Sequence, residues 1–374
     1  MKKDLTFSPV NSWFPIPEQK PMLICGPCSA ETEEQLLATA EALAAMGIKI
    51  FRAGLWKPRT RPGSFEGVGE KGLYWLKSVK EKTGLLTAVE AATPRHADKC
   101  LKHGVDIIWL GARTVSNPFS VQEIVKAIEG TDIPVLVKNP LNPDMELWCG
   151  AIERVAKAGI KRVAAVHRGF YPFEKTSLRN IPKWEVPIEL KTCFNDLPVI
   201  CDPSHIAGST RYIEEISQKA LDLNMDGLMI EVHIDPSSAL SDARQQLTPE
   251  ELAAMLGNLI VRTPTSSNSA FTSLLETYRD QIDSIDAQLI ELLSQRMKIV
   301  DEIGRYKSEN NVTILQLRRW ENIIRTRTEQ GKKLDLTDEF IKKILQIVHK
   351  ESIQRQTEIM MLLKERNRTK SSSE

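Results

Sequence analysis

The stretch IFRAGLWKPRT, residues 50–60, decides how most of this chain is expected to fold. Its apolar, β-branched start predicts a short buried strand, Gly54 permits a tight exit from it, and Pro58 fixes the backbone of the loop that follows. The polar residues that it presents are Arg52, Lys57, Arg59 and Thr60. Arginine matches phosphate oxygens in a planar fork and lysine supplies a compact charge, so the loop suits a phosphorylated substrate. A solvated basic loop with ordinary ion pairs is the alternative.

The same pattern, a short apolar run followed by an amphipathic segment, recurs through the first 262 residues. The eight runs are 22–25, 48–52, 85–89, 107–110, 135–137, 162–166, 199–201 and 227–232. Between them, segments such as 33–46 and 211–223 carry apolar residues at helical spacing. Eight strand and helix units in about 250 residues predict an α/β fold, a (β/α)8 TIM barrel, with a doubly wound open sheet as the alternative.

Length and charge limit the classes of function. With 374 residues and 41% hydrophobic content, the chain predicts two domains or one large barrel with an appendage. A net charge of +1 argues against nucleic-acid binding and against a polybasic membrane surface. The first ten residues hold no apolar core of signal-peptide length, and no run of about 18 apolar residues could span a bilayer. We therefore expect a cytoplasmic protein.

In a TIM barrel the residues that follow the strands share one rim, where active sites lie. Six cations are expected on that rim, from four or five strands: Arg52, Lys57, Arg59, Arg113, Lys138 and Arg168. Burying them without anions would cost several kcal/mol each, so they meet either carboxylates or substrate phosphates. Because few acidic residues share the rim, we predict two phosphorylated substrates or one bisphosphate.

A second group on the rim combines a thiol, an imidazole and two carboxylates. Its members are Cys28, His205, Glu231 and Asp242. Mixed sulfur, nitrogen and oxygen ligands favour a borderline divalent ion, Mn, Fe, Co or Zn, over Mg or Ca. Four unrelated loop residues are the alternative, although a barrel brings its first, seventh and eighth loops side by side.

The six cysteines are expected to be thiols, because the cytoplasm is reducing. Cys25 and Cys28 form a C-x-x-C motif. A redox pair would need a helix N-terminus, and a zinc knuckle would need a second pair, which the sequence lacks. We expect Cys25 to point into a barrel layer and Cys28 to emerge at the strand end.

Five motifs in order resemble the 3-deoxy-D-arabino-heptulosonate-7-phosphate synthases, which open the shikimate pathway. The motifs are GPCS at 26–29, FRAG with KPRT at 51–60, GAR at 111–113, DPSH at 202–205 and IEVH at 230–233. The resemblance covers nearly all of residues 20–262. The barrel looks like the compact type of the family. We expect no N-terminal regulatory domain, since about 20 residues precede the first strand. The KPRT run favours this family over the related sugar-acid 8-phosphate synthases.

The resemblance implies a metal-dependent condensation of phosphoenolpyruvate with erythrose 4-phosphate, with release of phosphate. It implies that phosphoenolpyruvate is held by Arg113, Lys138 and Arg168, and reached from the second strand by Arg52 and Lys57. It assigns Arg59 and Thr60 to erythrose 4-phosphate. A divalent ion, with manganese preferred, on Cys28, His205, Glu231 and Asp242 would polarise the aldehyde, and Lys57 is the candidate general acid.

The last third of the chain has a different pattern. Residues 263–270 are small, polar and aperiodic, which predicts a flexible linker. From 271 to 309 apolar residues recur three and four apart, which predicts a helix of about 39 residues that needs a partner helix. Further helices are expected at 317–330, ended by Gly331, and at 338–364, with Thr337 as N-cap and a polar tail at 365–374. A dimerising bundle without chemistry is one interpretation, against which Arg296 at a seam position argues.

Residues 270–362 resemble the all-helical chorismate mutases that form interlocked dimers, with 275–307 and 351–356 as matching segments. The resemblance implies that chorismate is bound by Arg279, Arg296, Lys307, Arg319, Ser352 and Gln356. Lys307 and Gln356 would act catalytically on the ether oxygen. Arg279 precedes Arg296 by 17 residues, about 25 Å along one helix, so it is expected to enter the partner's site. Gln316 and Trp320 depart from the family, in which many relatives have acidic residues that contact the substrate hydroxyl.

The two resemblances together predict a bifunctional enzyme. A synthase barrel at 1–262 is followed by an all-α, three-helix mutase domain at 271–364 that dimerises or forms a larger homo-oligomer. Prephenate or chorismate bound to the helices is expected to inhibit the barrel. The alternatives are a non-catalytic helical sensor domain and, for the barrel, a sugar-acid 8-phosphate synthase.

Overall fold

The computed structural model describes residues 5–15, 21–57, 63, 65–173 and 175–371, with side chains as far as residue 365. The chain divides into two compact units, residues 1–264 and 265–374. None of the described helices combines the length and apolar character needed to cross a bilayer.

Within the described residues of the first unit, eight parallel strands close into a barrel in sequence order. The strands are β1 Met22–Gly26, β2 Ile50–Arg52, β3 Leu86–Glu90, β4 Ile107–Leu110, β5 Val135–Lys138, β6 Val163–His167, β7 Val199–Cys201 and β8 Gly227–Glu231. Each predicted run overlaps one strand to within two residues at either end. The TIM barrel is therefore confirmed, and the open sheet is excluded because β1 pairs with β8 as well as with β2.

Helices alternate with the strands around this barrel. They are α1 Glu33–Ala45, α2 Lys71–Thr83, α3 Pro94–Lys102, α4 Ala112–Val115, α5 Pro118–Ile128, α6 Met145–Lys157, α7 Glu185–Cys193, α8 Pro203–Ala207, α9 Ile213–Asp222 and α10 Pro249–Asn258. Several begin at a side chain that accepts a backbone N–H, as Thr248 does from Glu251 in a reciprocal capping box.

Along each strand, successive side chains point alternately into two different apolar layers. Side chains such as Ile24, Ile50 and Met229 fill the barrel interior, and Trp13 packs into this inner layer. The intervening side chains face the helices. Cys25 belongs to this outer layer, so the expectation that it points into the barrel is wrong: Ile24 takes the inward position of β1 and its neighbour must face outward.

The described residues of the second unit form three helices: α11 Ser269–Glu309, α12 Leu317–Lys332 and α13 Asp338–Ser371. Helix α12 does not end at the predicted Gly331. That glycine is buried inside the helix, where an added Cβ would lie 2.6 Å from the Cγ1 atom of Ile341. It is therefore a close-packing position between α12 and α13. Thr337 does accept the N–H of Phe340, as predicted, but α13 continues seven residues beyond Lys364.

Candidate functional site

The alternation of strand side chains aims polar groups at the mouth of the barrel. On β2, β5 and β8 the inward residues Ile50, Leu136 and Met229 are each followed two positions later by a polar side chain with the same orientation. These polar residues are Arg52, Lys138 and Glu231. All three are buried at the carboxyl ends of their strands.

Three of the four predicted metal ligands converge beside β1 and β8. The sulfur of Cys28 and carboxylate oxygens of Glu231 and Asp242 lie within 4.8 Å of one another. Asp242 reaches this position through a left-handed backbone conformation, with φ of 49°. The loop that carries it is tied to β1 because Gln246 Oε1 accepts the backbone N–H of Cys28 at 2.9 Å.

His205, the fourth predicted ligand, is oriented by Asp202. Its Nδ1 lies 2.8 Å from Asp202 Oδ2, and its Nε2 lies 3.8 Å from Glu231 Oε1. Burial lowers the pKa of His205 more than the carboxylates raise it, so the ring is neutral at pH 7. A neutral imidazole that uses Nδ1–H on a carboxylate and directs Nε2 at other donors has the arrangement of a metal-binding histidine.

The four donors have the chemistry that the predicted ion requires. Burial first, and then Glu231, raises the pKa of the Cys28 thiol to about 12 in spite of the neighbouring Lys57, so the sulfur keeps its proton unless a metal ion binds to it. Glu231 Oε1 is buried and accepts no hydrogen bond from the described residues, although Arg52 Nη2 approaches it to 3.1 Å. A thiol, an imidazole and two carboxylates in this small volume fit Mn, Fe, Co or Zn.

Lys57 lies directly against the same cluster. Its Nζ donates to the Cys28 carbonyl oxygen at 2.5 Å and contacts Cys28 Sγ at 3.0 Å. Burial lowers the pKa of Lys57, but the nearby Cys28 and Glu231 outweigh this effect and raise it overall. The ammonium group is therefore a proton donor held next to the candidate metal position.

Two of the predicted cations meet carboxylates inside the mouth. Arg52 pairs with Glu231, and Lys138 donates to Asp202 Oδ2 at 2.7 Å. Both cations lie over the ring of Trp109, at 5.0 and 5.8 Å from its centroid. Arg52 Nε and Nη1 are buried without a hydrogen-bond acceptor among the described residues. These two donors remain for an anionic ligand.

The other predicted cations fall into different surroundings. Arg168 is buried, and burial lowers its pKa to about 10, with further lowering by Arg179 and Arg113. Arg113 is exposed on α4 but acts electrostatically on Arg168, so the two face the same region. Arg59 and Thr60 lie outside the described residues, so their role in substrate binding stays a prediction.

Sequence reasoning missed several residues of this site. Arg179 pairs with Asp242 Oδ1 at 3.1 Å and donates to Gln245 Oε1, and Gln245 donates to Glu231 Oε2 at 2.6 Å. With Arg179 foremost among the charges that oppose burial, the pKa of Asp242 falls to about 2. The pair Gln245-Gln246, which begins three residues after Asp242, could have indicated further polar residues of the site. Nothing in the sequence singles out Arg179.

The helical unit brings together four of its six predicted site residues. Arg296 Nη1 on α11 donates to Ser352 Oγ on α13 at 2.7 Å, and Gln356 Nε2 donates to the Ser352 carbonyl oxygen. Gln356 Oε1 is buried without a hydrogen-bond donor in the described chain. Lys307 Nζ donates to the Ile314 carbonyl oxygen at 2.6 Å. Burial lowers the pKa of His349, and Arg296 and Lys307 lower it further.

The remaining two predicted residues stand apart. Arg279 is 59% exposed and pairs with Glu276 on its own helix. It shares the uninterrupted α11 with Arg296, which rules out one small ligand touching both within one chain. Arg319 is exposed on α12, next to Trp320.

Trp320 and His349, neither of them a predicted binding residue, form a stacked pair between α12 and α13. Their ring centroids are 3.9 Å apart and their planes differ by 11°. No sequence pattern could have found this pair, because stacking depends on how the two helices pack.

Comparisons with known proteins agree with both units. Residues 17–263 match the DAHP synthetase I family, and residues 278–357 match chorismate mutase type II. A phospho-2-dehydro-3-deoxyheptonate aldolase from Thermotoga maritima is 35% identical over 225 residues, covering 60% of this chain and 64% of that protein. A 2-dehydro-3-deoxyphosphooctonate aldolase from Helicobacter pylori is 27% identical, covering 64% of this chain and 95% of that protein.

A solved structure has the same barrel. The crystal structure of the DAHP synthase from Thermotoga maritima is 33% identical, with a TM-score of 0.58, and the match covers 63% of this chain and 67% of that one. The chain spans just under two thirds of the curated Thermotoga relative. Since the barrel match extends over more than half of the residues, this chain belongs to the DAHP synthetase I family and carries, in its helical unit, a chorismate mutase type II domain.

Proposed function

We propose that the barrel condenses phosphoenolpyruvate with erythrose 4-phosphate and consumes one water molecule, giving 3-deoxy-D-arabino-heptulosonate 7-phosphate and phosphate. The observation that carries the proposal is the convergence of Cys28, Glu231 and Asp242 within 4.8 Å, with the Lys57 ammonium 3.0 Å from the sulfur. A bound divalent ion would supply Lewis-acid polarisation of the aldehyde. Lys57 would donate a proton to the oxygen that becomes the new hydroxyl group, as a general acid.

The cations of the mouth would hold the two substrates. Arg168 is buried without a carboxylate partner at hydrogen-bond distance among the described contacts, and Arg52 keeps two donors unpaired. Together with Lys138 and Arg113 they would bind phosphoenolpyruvate, while Arg59 and Thr60 would bind the aldose phosphate. Holding both anions in reactive geometry would supply a large part of the rate.

The test is the condensation rate of the full chain after chelation and after addition of Mn, Fe, Co or Zn. The proposal expects activity only with metal, and with erythrose 4-phosphate rather than arabinose 5-phosphate. Faster turnover of arabinose 5-phosphate would instead make the barrel a sugar-acid 8-phosphate synthase, the class of the Helicobacter relative.

We further propose that the helical unit rearranges chorismate to prephenate. This reaction needs no nucleophile, only groups that hold the diacid and stabilise charge on the ether oxygen. Arg296 and Lys307 are cations whose described hydrogen bonds go to neutral oxygens, so they can take up an anion. Arg319 and Ser352 would complete the binding set, and Gln356 with Lys307 would face the ether oxygen. Prephenate release by the full chain tests this, and binding without turnover would favour the non-catalytic sensor.

A homodimer is proposed because the apolar face of α11 is exposed in one chain. The exposed residues are Tyr278, Ile282, Ile285, Leu289, Leu292, Ile299, Ile303 and Tyr306. Such a stripe on a 41-residue helix needs a second helix to cover it. A second copy would also bring Arg279 of the partner subunit to the site. Sedimentation of the full chain should give at least a dimer.

Feedback control is proposed from the fusion of the two domains. Prephenate or chorismate bound to the helical unit would inhibit the barrel, and saturating prephenate should lower the condensation rate. An unchanged rate removes this proposal. A cytoplasmic location is proposed as well, and all six cysteines are thiols outside any disulfide in the structure.

A further inference from the structure

The stacked pair Trp320 and His349 has no role in the scheme above, yet it borders the helical site. His349 lies three residues before Ser352 and seven before Gln356 on α13, a spacing that places all three side chains on one face of the helix. Ser352 and Gln356 are buried on that face, and His349 is half-buried. The imidazole therefore lies beside these site residues, where Trp320 of α12 stacks on it and Arg296 and Lys307 of α11 act on it electrostatically.

The chemical state of His349 follows from its neighbours. Burial lowers its pKa first, and Arg296 and Lys307 on α11 lower it further. The ring is neutral at pH 7, so it offers one N–H donor and one nitrogen acceptor. Neither ring nitrogen forms a hydrogen bond within the described part of the chain, and both lie in the plane that Trp320 fixes by stacking.

A matching group remains on the substrate that the proposed function assigns to this site. Chorismate has two carboxylates, an ether oxygen and a ring hydroxyl group. The carboxylates suit the arginines, and the ether oxygen suits Lys307 and Gln356. A hydroxyl group both donates and accepts, as a neutral imidazole does, whereas a carboxylate would favour a charged partner.

We propose that the His349 imidazole, oriented by stacking on Trp320, binds the ring hydroxyl of the diacid in the helical site. This inference rests on the proposed mutase function. His349 touches the substrate and is a binding residue, whereas Trp320 acts through His349 and is a positioning residue.

The experiment compares chorismate with a competitive inhibitor, the same cyclic diacid without its ring hydroxyl, on the full chain. His349→Phe keeps a flat ring against Trp320 but removes both nitrogens. It should raise KM for chorismate about tenfold with kcat nearly unchanged, because a hydrogen bond present in both ground and transition states is lost. Its inhibition constant for the hydroxyl-free diacid should stay within twofold of wild type. His349→Gln, which keeps an N–H donor, should recover part of the loss.

Trp320→Ala tests the positioning role. It should raise KM for chorismate in the wild-type background but add nothing to His349→Phe, since it acts only through that ring. Lys350 is exposed and adjacent to His349 in sequence, so Lys350→Ala is the matched control. It should change neither the KM for chorismate nor the inhibition constant of the hydroxyl-free diacid. Equal effects of His349→Phe on both ligands, or none on either, would overturn the inference. If the wild-type chain neither binds nor converts chorismate, the proposed function fails first, and this inference falls with it.

Discussion

The two sites of this chain differ in how they manage charge. At the barrel mouth two of the cations are buried together with carboxylate partners: Arg52 with Glu231, and Lys138 with Asp202. In the helical unit the hydrogen bonds described for Arg296 and Lys307 go to neutral oxygens, and Arg279 is exposed in an ion pair within its own helix. Both partners of each buried pair come from one chain here, and a lone buried charge would be costly. An open site can leave places for a ligand and for a second chain.

The largest expected effect would come from removing a ligand atom from the barrel cluster. Cys28→Ala takes the sulfur from a site whose other donors are fixed, so metal affinity should fall by more than about 100-fold and condensation should be lost. Metal content by mass spectrometry and the condensation rate measure this. Prephenate formation should persist, as should both activities in Cys149→Ala, a half-buried thiol away from the cluster. Full turnover by metal-saturated Cys28→Ala would remove Cys28 from the ligand set.

Subunit mixing tests whether the helical site is shared between chains. Arg279→Ala and Arg296→Ala should each abolish prephenate formation as homodimers. Co-expressed in equal amounts, they should restore about a quarter of the wild-type rate, because half of the dimers would be mixed and each would hold one intact site. An inactive mixture whose heterodimers are verified by mass would contradict a site shared between chains.

The core of the helical unit is expected to be sensitive at Gly331. Gly331→Ala would press a methyl group against Ile341, 2.6 Å from its Cγ1 atom, and should lower the free energy of unfolding by about 1–3 kcal/mol. Urea unfolding followed by circular dichroism measures this. Gly257→Ala in α10 is the control, since its added methyl meets nothing within 4 Å and should be neutral or stabilising. A neutral Gly331→Ala would mean that α12 and α13 pack loosely enough to separate.

The smallest effects are expected at the helix caps. Thr248 takes part in a two-bond capping box on α10, whereas Thr337 accepts one N–H on α13, at 3.3 Å. Alanine at either position should cost about 1 kcal/mol, and more at Thr248. Hydrogen exchange should accelerate at the Glu251 amide in one variant and at the Phe340 amide in the other. Equal protection in the wild type and Thr337→Ala would show that packing, not the cap, fixes the start of α13.

Much of the barrel followed from local pattern. The strands at 107–110 and 199–201 were predicted to the residue, and the rim positions of Arg52, Lys138 and Glu231 followed from where strands end. Whether the Cys25 side chain points inward or outward did not follow from the pattern. Alternation along a strand allows either direction until the orientation of one residue is known. The prediction for Gly331 was wrong for a related reason: a glycine that ends a helix and a glycine that lets two helices approach look the same in sequence.

The sequence by itself determined the repeating strand and helix units, the long apolar stripe of α11 and the residue types at the strand ends, because these depend on spacing along the chain. Only the tertiary structure decided which of those groups meet. It joined Arg179 and Gln245 to the carboxylates beside Cys28, and it stacked Trp320 on His349. Such contacts join residues far apart along the chain, and their distances depend on how the elements pack, which no local pattern encodes.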